Sequence, residues 1–419
     1  MLSKMGTRTF VRPAQSGGSV KRPSSRFGQI DVPLVLALIA LCVFGLIMVY
    51  SASWDFSQAA YGSSTRIFYR QVAWMMLGIA LIFGLAYVDY HHFHRWVVMM
   101  MAITIVMLGA VLVVNEVRLG AARTFFQGSV QPSELGKLAI VLYLSVWLYA
   151  KRESLHDLKL GLVPLAVILG VVGGLIYRQP DLSAAATVFV LGGLLFFLAG
   201  GELRQILLLL VLALVIGWIV VQISVTGRER LTDYMAGLRD PLQASYHVRR
   251  SLEAVVRGGW FGVGIGNSTT KLTGLPVPPT DSIFAVIAEE LGILGASALI
   301  GLYGMLVWRG LRIAQKAPDM LGTLVAAGLT FWIAIEAIIN MAVMVGLFPF
   351  AGNTLPFISA GGSNLTVSMA AIGILMNIAR QGNGKPPVPA APEERRDFLA
   401  TLNLRRRDGR RSVSRPRRS

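Results

Sequence analysis

Ten stretches of the chain stay apolar long enough to cross a bilayer, at about 32–52, 71–88, 96–114, 134–150, 161–177, 182–199, 204–224, 282–308, 320–345 and 361–379. Each is near the roughly twenty residues that a helix rising ~1.5 Å per residue needs to span hydrocarbon. Barrel strands would be short and alternating, whereas these runs are unbroken, and in lipid a helix satisfies its backbone groups within its own segment. The pattern predicts an all-α polytopic membrane protein with about ten transmembrane helices. A tail over 1–30, a membrane domain over 31–380 and a second tail over 381–419 complete the division. The connections are short except one, a large extracytoplasmic loop over 225–281 between the seventh and eighth helices. A connection of that length in a compact domain is usually functional or disordered, and its aromatic and apolar residues argue against disorder. The first run begins only near Val32 and is long enough to span, so a retained helix is expected rather than a cleaved signal segment.

Composition agrees, with 54% of 419 residues hydrophobic and 15% charged, which leaves little for a water-soluble core. The formal charge of +17 raises the question of nucleic acid, and its location answers it. Residues 1–31 hold six Lys/Arg against one acid and residues 380–419 hold twelve against four, so the membrane body is nearly neutral. Basic tails rich in Pro, Ser and Gly fit solvated segments near anionic headgroups, and no nucleic-acid partner is expected. Lys and Arg of the short connections gather on one side: the N-terminal arm, 90–96, 150–159, 200–205, 309–316 and the C-terminal tail. That side is cytoplasmic by the positive-inside rule, and both termini lie on it. The "HHFH" run at 91–94 sits at this basic interface and is read as solvated rather than metal-binding. Cys42 is the single cysteine, so no intramolecular disulfide can form.

The opposite side holds about 115–133, 225–281 and 346–360. The middle segment carries Arg228, Arg230, Arg239, Arg249, Arg250, Arg257 and Lys271, an unusual basic load for an outer face. Either an anionic ligand or local pairing with Glu229, Asp233, Asp240 and Glu253 accounts for it. "GGWFGVGIGNS" at 258–268 lacks the βαβ surroundings of a dinucleotide fingerprint, which leaves a glycine-dense turn for close backbone approach or simple loop packing. Asp281 follows Pro278, Pro279 and Thr280 at the mouth of the eighth span. It can cap that helix, or act as a carboxylate at the water boundary that takes a proton from a hydroxyl. Glu289 and Glu290 lie about two turns deeper, and on a continuous helix Glu289 points closer to the Asp281 side. An interhelical polar lock is the alternative to chemistry for both. Glu336 and Asn340 share one face of the ninth span, and Glu134 with Lys137 has the spacing of a local ion pair. The 346–364 segment is too dense in Gly and Pro for a helix and reads as a re-entrant or surface loop.

"GLIMVYSAS" (45–53), "QPSELGK" (131–137), "QPDLSAA" (179–185), "GNSTTKLTGLP" (266–276), "TDSIFAVIAEELG" (280–292) and "GLFPFAGNTLPFISAGGSN" (346–364) together resemble blocks of the SEDS family, in the family's order. The family comprises FtsW- and RodA-type peptidoglycan glycosyltransferases, and the first and fourth blocks look more like the FtsW branch. The resemblance implies an inverting enzyme of the bacterial cytoplasmic membrane that polymerises lipid II on the outer face during division or elongation. Asp281 matches the family's catalytic aspartate and would be the general base, with undecaprenyl pyrophosphate leaving. Candidate substrate-binding residues are Arg123, Glu134, Lys137, Arg249, Lys271, Glu289, Glu290, Asn340 and Ser359. A divalent cation, Mg2+ or Mn2+, is the one cofactor considered, with no dedicated protein metal site and no organic cofactor. Implied partners are lipid II, the growing strand, a class B penicillin-binding transpeptidase and other division or elongation membrane proteins. The chain departs from the usual family residue at Val277, Ser282, Glu336, Ala360 and Asn364, which bears on sugar contacts more than on reaction type. A lipid II flippase and a non-catalytic division scaffold are the alternative functions.

Overall fold

The computed structural model describes residues 31–114, 131–179 and 181–382. Twelve α-helices account for most of them, and no strand occurs among the described residues. They are α1 (Val32–Tyr61), α2 (Arg66–Tyr87), α3 (Phe93–Val114), α4 (Pro132–Lys151), α5 (Val163–Tyr177), α6 (Leu182–Leu198), α7 (Leu203–Ile223), α8 (Val225–Arg239), α9 (Tyr246–Gly258), α10 (Ile283–Gln315), α11 (Met320–Met344) and α12 (Gly362–Gly382). Among the described residues nine helical segments are long and apolar enough to cross a membrane, and the 17-residue α6 is the shorter tenth. The ten runs of the sequence are therefore ten helices, and the protein is a multi-pass membrane protein. Several helices outrun their apolar windows: α1 continues to Tyr61 and α10 to Gln315.

Contacts between turns define two ends of the bundle. At one end Arg309 grips Asp31 at 3.0 Å, and Gln381 bonds Asp89 at 3.0 Å. There His91 is bracketed by Asp89 (Nδ1···Oδ1 2.7 Å) and Asp319 (Nε2···Oδ2 2.6 Å), while Asp319 also caps α11 through the Gly322 N–H. His91 is exposed, as expected of its run, and is paired as well. It ties the α2–α3 turn to the start of α11, a partner 228 residues away that local sequence does not reveal. The other end carries the α4 and α6 N-termini, the 225–281 segment and the 346–361 segment.

The 225–281 connection is mostly ordered helix and turn rather than open loop. Ser224 caps α8 by accepting from the Gly227 N–H at 3.1 Å. One face of α9 buries Val248, Ser251, Ala254 and Gly258, the three-to-four-residue stepping of an amphipathic helix. The glycine-dense turn does bring backbones together. Val263 and Gly264 donate to the carbonyls of Glu289 and Glu290 at 3.0 Å, and Ile293 and Leu294 donate back to Gly259 and Trp260 at 2.9 and 3.2 Å.

This exchange sits where α10 breaks. Gly292 has φ 67° and ψ −171°, so Ile283–Leu291 is a separate short helix and the span proper starts at Ile293. Positive φ at that ψ is open only to glycine, and a Cβ there would stand 2.5 Å from the Gly262 nitrogen. Gly292→Ala is expected to cost about 1–3 kcal/mol and to lower the melting temperature of the detergent-purified protein. An unchanged melt would show that the break is not a fixed feature.

Candidate active site

Asp281 lies at the foot of the short helix Ile283–Leu291 and is half-buried. Three consecutive carbonyls up to it are fixed by other elements. Pro279 O accepts from the Ala360 N–H at 2.8 Å, Thr280 O from Ser359 Oγ at 2.7 Å, and Asp281 O from Asn340 Nδ2 at 2.9 Å. Ser359 Oγ in turn accepts from the Leu355 N–H at 2.7 Å, and Gln71 Nε2 donates to Ser359 O at 3.1 Å. The helix N-cap position falls on Ser282, whose hydroxyl donates to Pro276 O at 2.7 Å. The N-cap position thus lies one residue after Asp281.

Backbone strain is concentrated around this residue. The non-glycine residues with positive φ among those described are Val277 (45°) and Phe357 (68°), four residues before Asp281 and two before Ser359. A β-branched residue there costs on the order of 1–3 kcal/mol and persists only where its surroundings over-determine it. The carbonyl grip supplies that constraint.

Most other candidates brace the site from inside. Glu289 accepts from Ser268 Oγ, from the Thr269 and Thr270 N–H groups at 3.1 and 3.2 Å, and from Thr269 Oγ at 3.3 Å. Glu290 accepts from Ser51 Oγ at 2.6 Å and from Lys271 Nζ at 2.9 Å. Lys271 also donates to Gly266 O at 2.9 Å and Ser51 O at 3.2 Å, so its ammonium is engaged on several sides. Both glutamates hold the 266–271 turn, the polar lock that was the alternative to direct chemistry.

Lys137 is likewise a brace and not a surface cation. Its side chain is 1% exposed and is paired with Glu134 at 2.8 Å and with Glu336. Glu336 also accepts from Trp332 Nε1 at 2.8 Å, and Asn364 Nδ2 bonds Glu134 at 2.9 Å and Glu336 at 3.1 Å. The local pair expected at 134 and 137 is thus half of a larger network. Two of the departures from the family pattern, Glu336 and Asn364, touch each other within it. Arg249 remains exposed on α9, its guanidinium 5.7 Å from the Tyr246 ring. Arg123 lies outside the described residues.

Sequence reasoning passed over Asp181. Its Oδ1 accepts from the Ala184 N–H and Ser183 Oγ, both at 3.1 Å, and its Oδ2 from Gln131 Nε2 at 3.2 Å. Ser183 Oγ reaches Asn353 Oδ1 at 3.2 Å, and Asn353 O accepts from the same Asn340 Nδ2 that holds Asp281. The signal was available, since both Gln-Pro pairs, at 131–132 and 179–180, put a polar residue at the mouth of an apolar run. On α9, burial first and the Arg230 charge second lower the pKa of His247, whose ring stacks on Phe350 at 4.1 Å between centroids.

A divalent cation held by the protein alone would need several oxygen or imidazole donors grouped around it. Among the described residues no group of three or more His, Cys, Asp or Glu could enclose one. Mg2+ commonly binds through one or two carboxylates plus substrate phosphates, and Asp281 or Asp181 could serve in that way.

A ten-helix membrane bundle with an aspartate whose backbone is held by other elements at one end defines a multi-pass membrane protein with a candidate carboxylate site. Comparison with known proteins gives its family. Residues 32–384 match the model of the FtsW/RodA/SpoVE family, described as cell cycle proteins, and the chain belongs to that family. Stage V sporulation protein E of Bacillus subtilis is 37% identical over 355 residues, covering 84% of this chain and 97% of the relative. A probable peptidoglycan glycosyltransferase FtsW of Trichlorobacter lovleyi is 35% identical, covering 86% and 96%. Among solved structures, a chain of a peptidoglycan synthase complex that coordinates polymerization and crosslinking superposes with TM-score 0.70 at 26% identity, covering 85% and 99%. RodA of Thermus thermophilus gives 0.62 at 25%, covering 84% and 97%.

Proposed function

We propose that this protein is a peptidoglycan glycosyltransferase that polymerises lipid II into glycan strands, with Asp281 as general base. The observation that carries the reading is the fixation of carbonyls 279–281 by Ser359, Ala360 and Asn340. It fixes the backbone that carries one carboxylate at the end of the bundle where 225–281 and 346–361 converge. Family membership and the names of the relatives support the same chemistry.

In the step we infer, Asp281 takes the proton from the 4-hydroxyl of the GlcNAc of incoming lipid II. That oxygen bonds to C1 of the MurNAc at the reducing end of the growing strand. The C1–O bond to diphosphate breaks, its electron pair leaves with the lipid diphosphate, and C1 inverts. Diphosphate departs without protonation, so one base suffices, unlike the paired carboxylates of glycoside hydrolysis. Positive charge on the leaving group must come from the surface, because Lys137 and Lys271 are neutralised by buried glutamates. Arg249, exposed on α9, is the candidate, together with any cation the substrate brings.

The end bearing Lys151, Arg152, Lys159, Arg204, Arg309, Arg312 and Lys316 is taken as cytoplasmic, which sets Asp281 outside the cytoplasmic membrane. A class B penicillin-binding transpeptidase is the expected partner. The purified protein reconstituted with lipid II, with and without that partner, separates the readings. Glycan chains support the enzyme, translocated lipid without polymer supports a flippase, and neither product supports a scaffold.

A further inference from the structure

A cleft lined by Arg178 and Arg230 has no role in the chemistry above. Its volume is about 520 Å3, within the ~300–1,000 Å3 of ordinary ligand pockets. It opens between the α5–α6 turn and the α7–α8 joint. The gap exists because α7 stands off from the bundle, burying only Gln205 and Leu209 along its length.

The two walls differ in chemistry. Arg178 on the α5–α6 turn and Arg230 on α8 both line the cleft, with Thr226 beside them and no carboxylate in the lining. Arg178 is exposed and has no acidic partner among the described residues, while the Arg230 guanidinium lies 5.6 Å from the Phe350 ring. Leu112, Tyr177 and Leu182 supply an apolar side. Two guanidiniums beside an apolar wall at the end of a membrane helix suit an amphiphile with a phosphate head.

Its place relative to Asp281 narrows the choice. Leu182 lines the cleft, its neighbour Ser183 bonds Asn353, and Asn353 and Asp281 share the Asn340 amide. The cleft is thus separated from the base by the N-terminus of α6 and this short relay. In the proposed inverting reaction the donor's diphosphate leaves C1 from the face opposite the hydroxyl that Asp281 deprotonates, so it lies just across the carbon under attack. The acceptor's diphosphate is attached one disaccharide away from its attacking hydroxyl and needs a second, more distant site.

We propose that this cleft holds the diphosphate of the incoming polyprenyl-linked acceptor, with Arg178 and Arg230 gripping its oxygens. The inference rests on the glycosyltransferase reading and adds a second anion site to it. Loss of a charge-assisted contact corresponds to about tenfold or more in affinity.

Native mass spectrometry of the full-length protein, titrated with undecaprenyl diphosphate, tests this directly. The unaltered protein should bind two copies. The Arg178→Gln/Arg230→Gln variant should bind one, and with lipid II its KM should rise at least tenfold while kcat changes little. Two copies retained by the variant would overturn the acceptor site and leave the base assignment standing. Equal occupancy by inorganic pyrophosphate or phosphatidylglycerol would also overturn it, by showing a general anion or headgroup site. If the unaltered protein binds no polyprenyl diphosphate, the underlying reading fails instead.

Discussion

Asp281→Asn should abolish glycan polymerisation while leaving the protein folded and able to bind lipid II. Asn cannot accept the hydroxyl proton, and removing a positioned general base costs typically 10²–10⁴-fold in rate. The fold should survive because the local structure uses the backbone of residue 281. Asn340 holds its carbonyl, Ser359 and Ala360 hold the two carbonyls before it, and Ser282 occupies the cap position. An amide of the same shape keeps all of these. Polymer formation read on a gel, beside the melting temperature of the same preparation, makes the measurement. Strand synthesis near the unaltered rate would remove Asp281 from the mechanism, whereas a large fall in melting temperature would mean that the side chain also carries structure.

The spans were legible because hydrocarbon imposes one requirement, sustained apolarity over about twenty residues, and each helix meets it. What stayed hidden depended on partners distant in sequence or on a break inside an apolar run. Gly292 sits in "LGILG", where hydropathy is continuous, so the interruption of α10 carries no compositional mark. The partners of Glu289 and Glu290, the 268–270 turn and the Ser51–Lys271 pair, were hidden for the other reason. Amphipathic α9 was concealed by its charge, since a surface helix lacks the apolarity that marks a span. Glu134 and Lys137 were readable as a pair from their spacing, but Glu336 is 199 residues from Lys137 and completes the network only in the fold. Asp281 itself was marked by position, after two prolines and before an apolar helix, with capping and catalysis left open. In the fold the N-cap position falls on Ser282, one residue later.

Lys137→Met should produce the largest loss of stability of any single change near the site. The lysine is 1% exposed and is the cation that two buried carboxylates, Glu134 and Glu336, both contact. Methionine preserves much of the shape and removes the charge, leaving like charges facing each other where water cannot screen them. Breaking a buried ion pair from one side costs about 3–5 kcal/mol. A second change provides the control. Adding Glu336→Gln takes away one of the two opposed carboxylates and keeps an amide within reach of Asn364 and Trp332, so the double variant should melt above the single one. Melting in detergent, performed as a double-mutant cycle, measures the coupling. The same proteins separate bracing from direct substrate contact. A lysine that touched diphosphate would lose activity at unchanged melting temperature, and Glu336→Gln would restore none of it. A structural lysine loses stability first, and the paired change returns stability and polymerisation together.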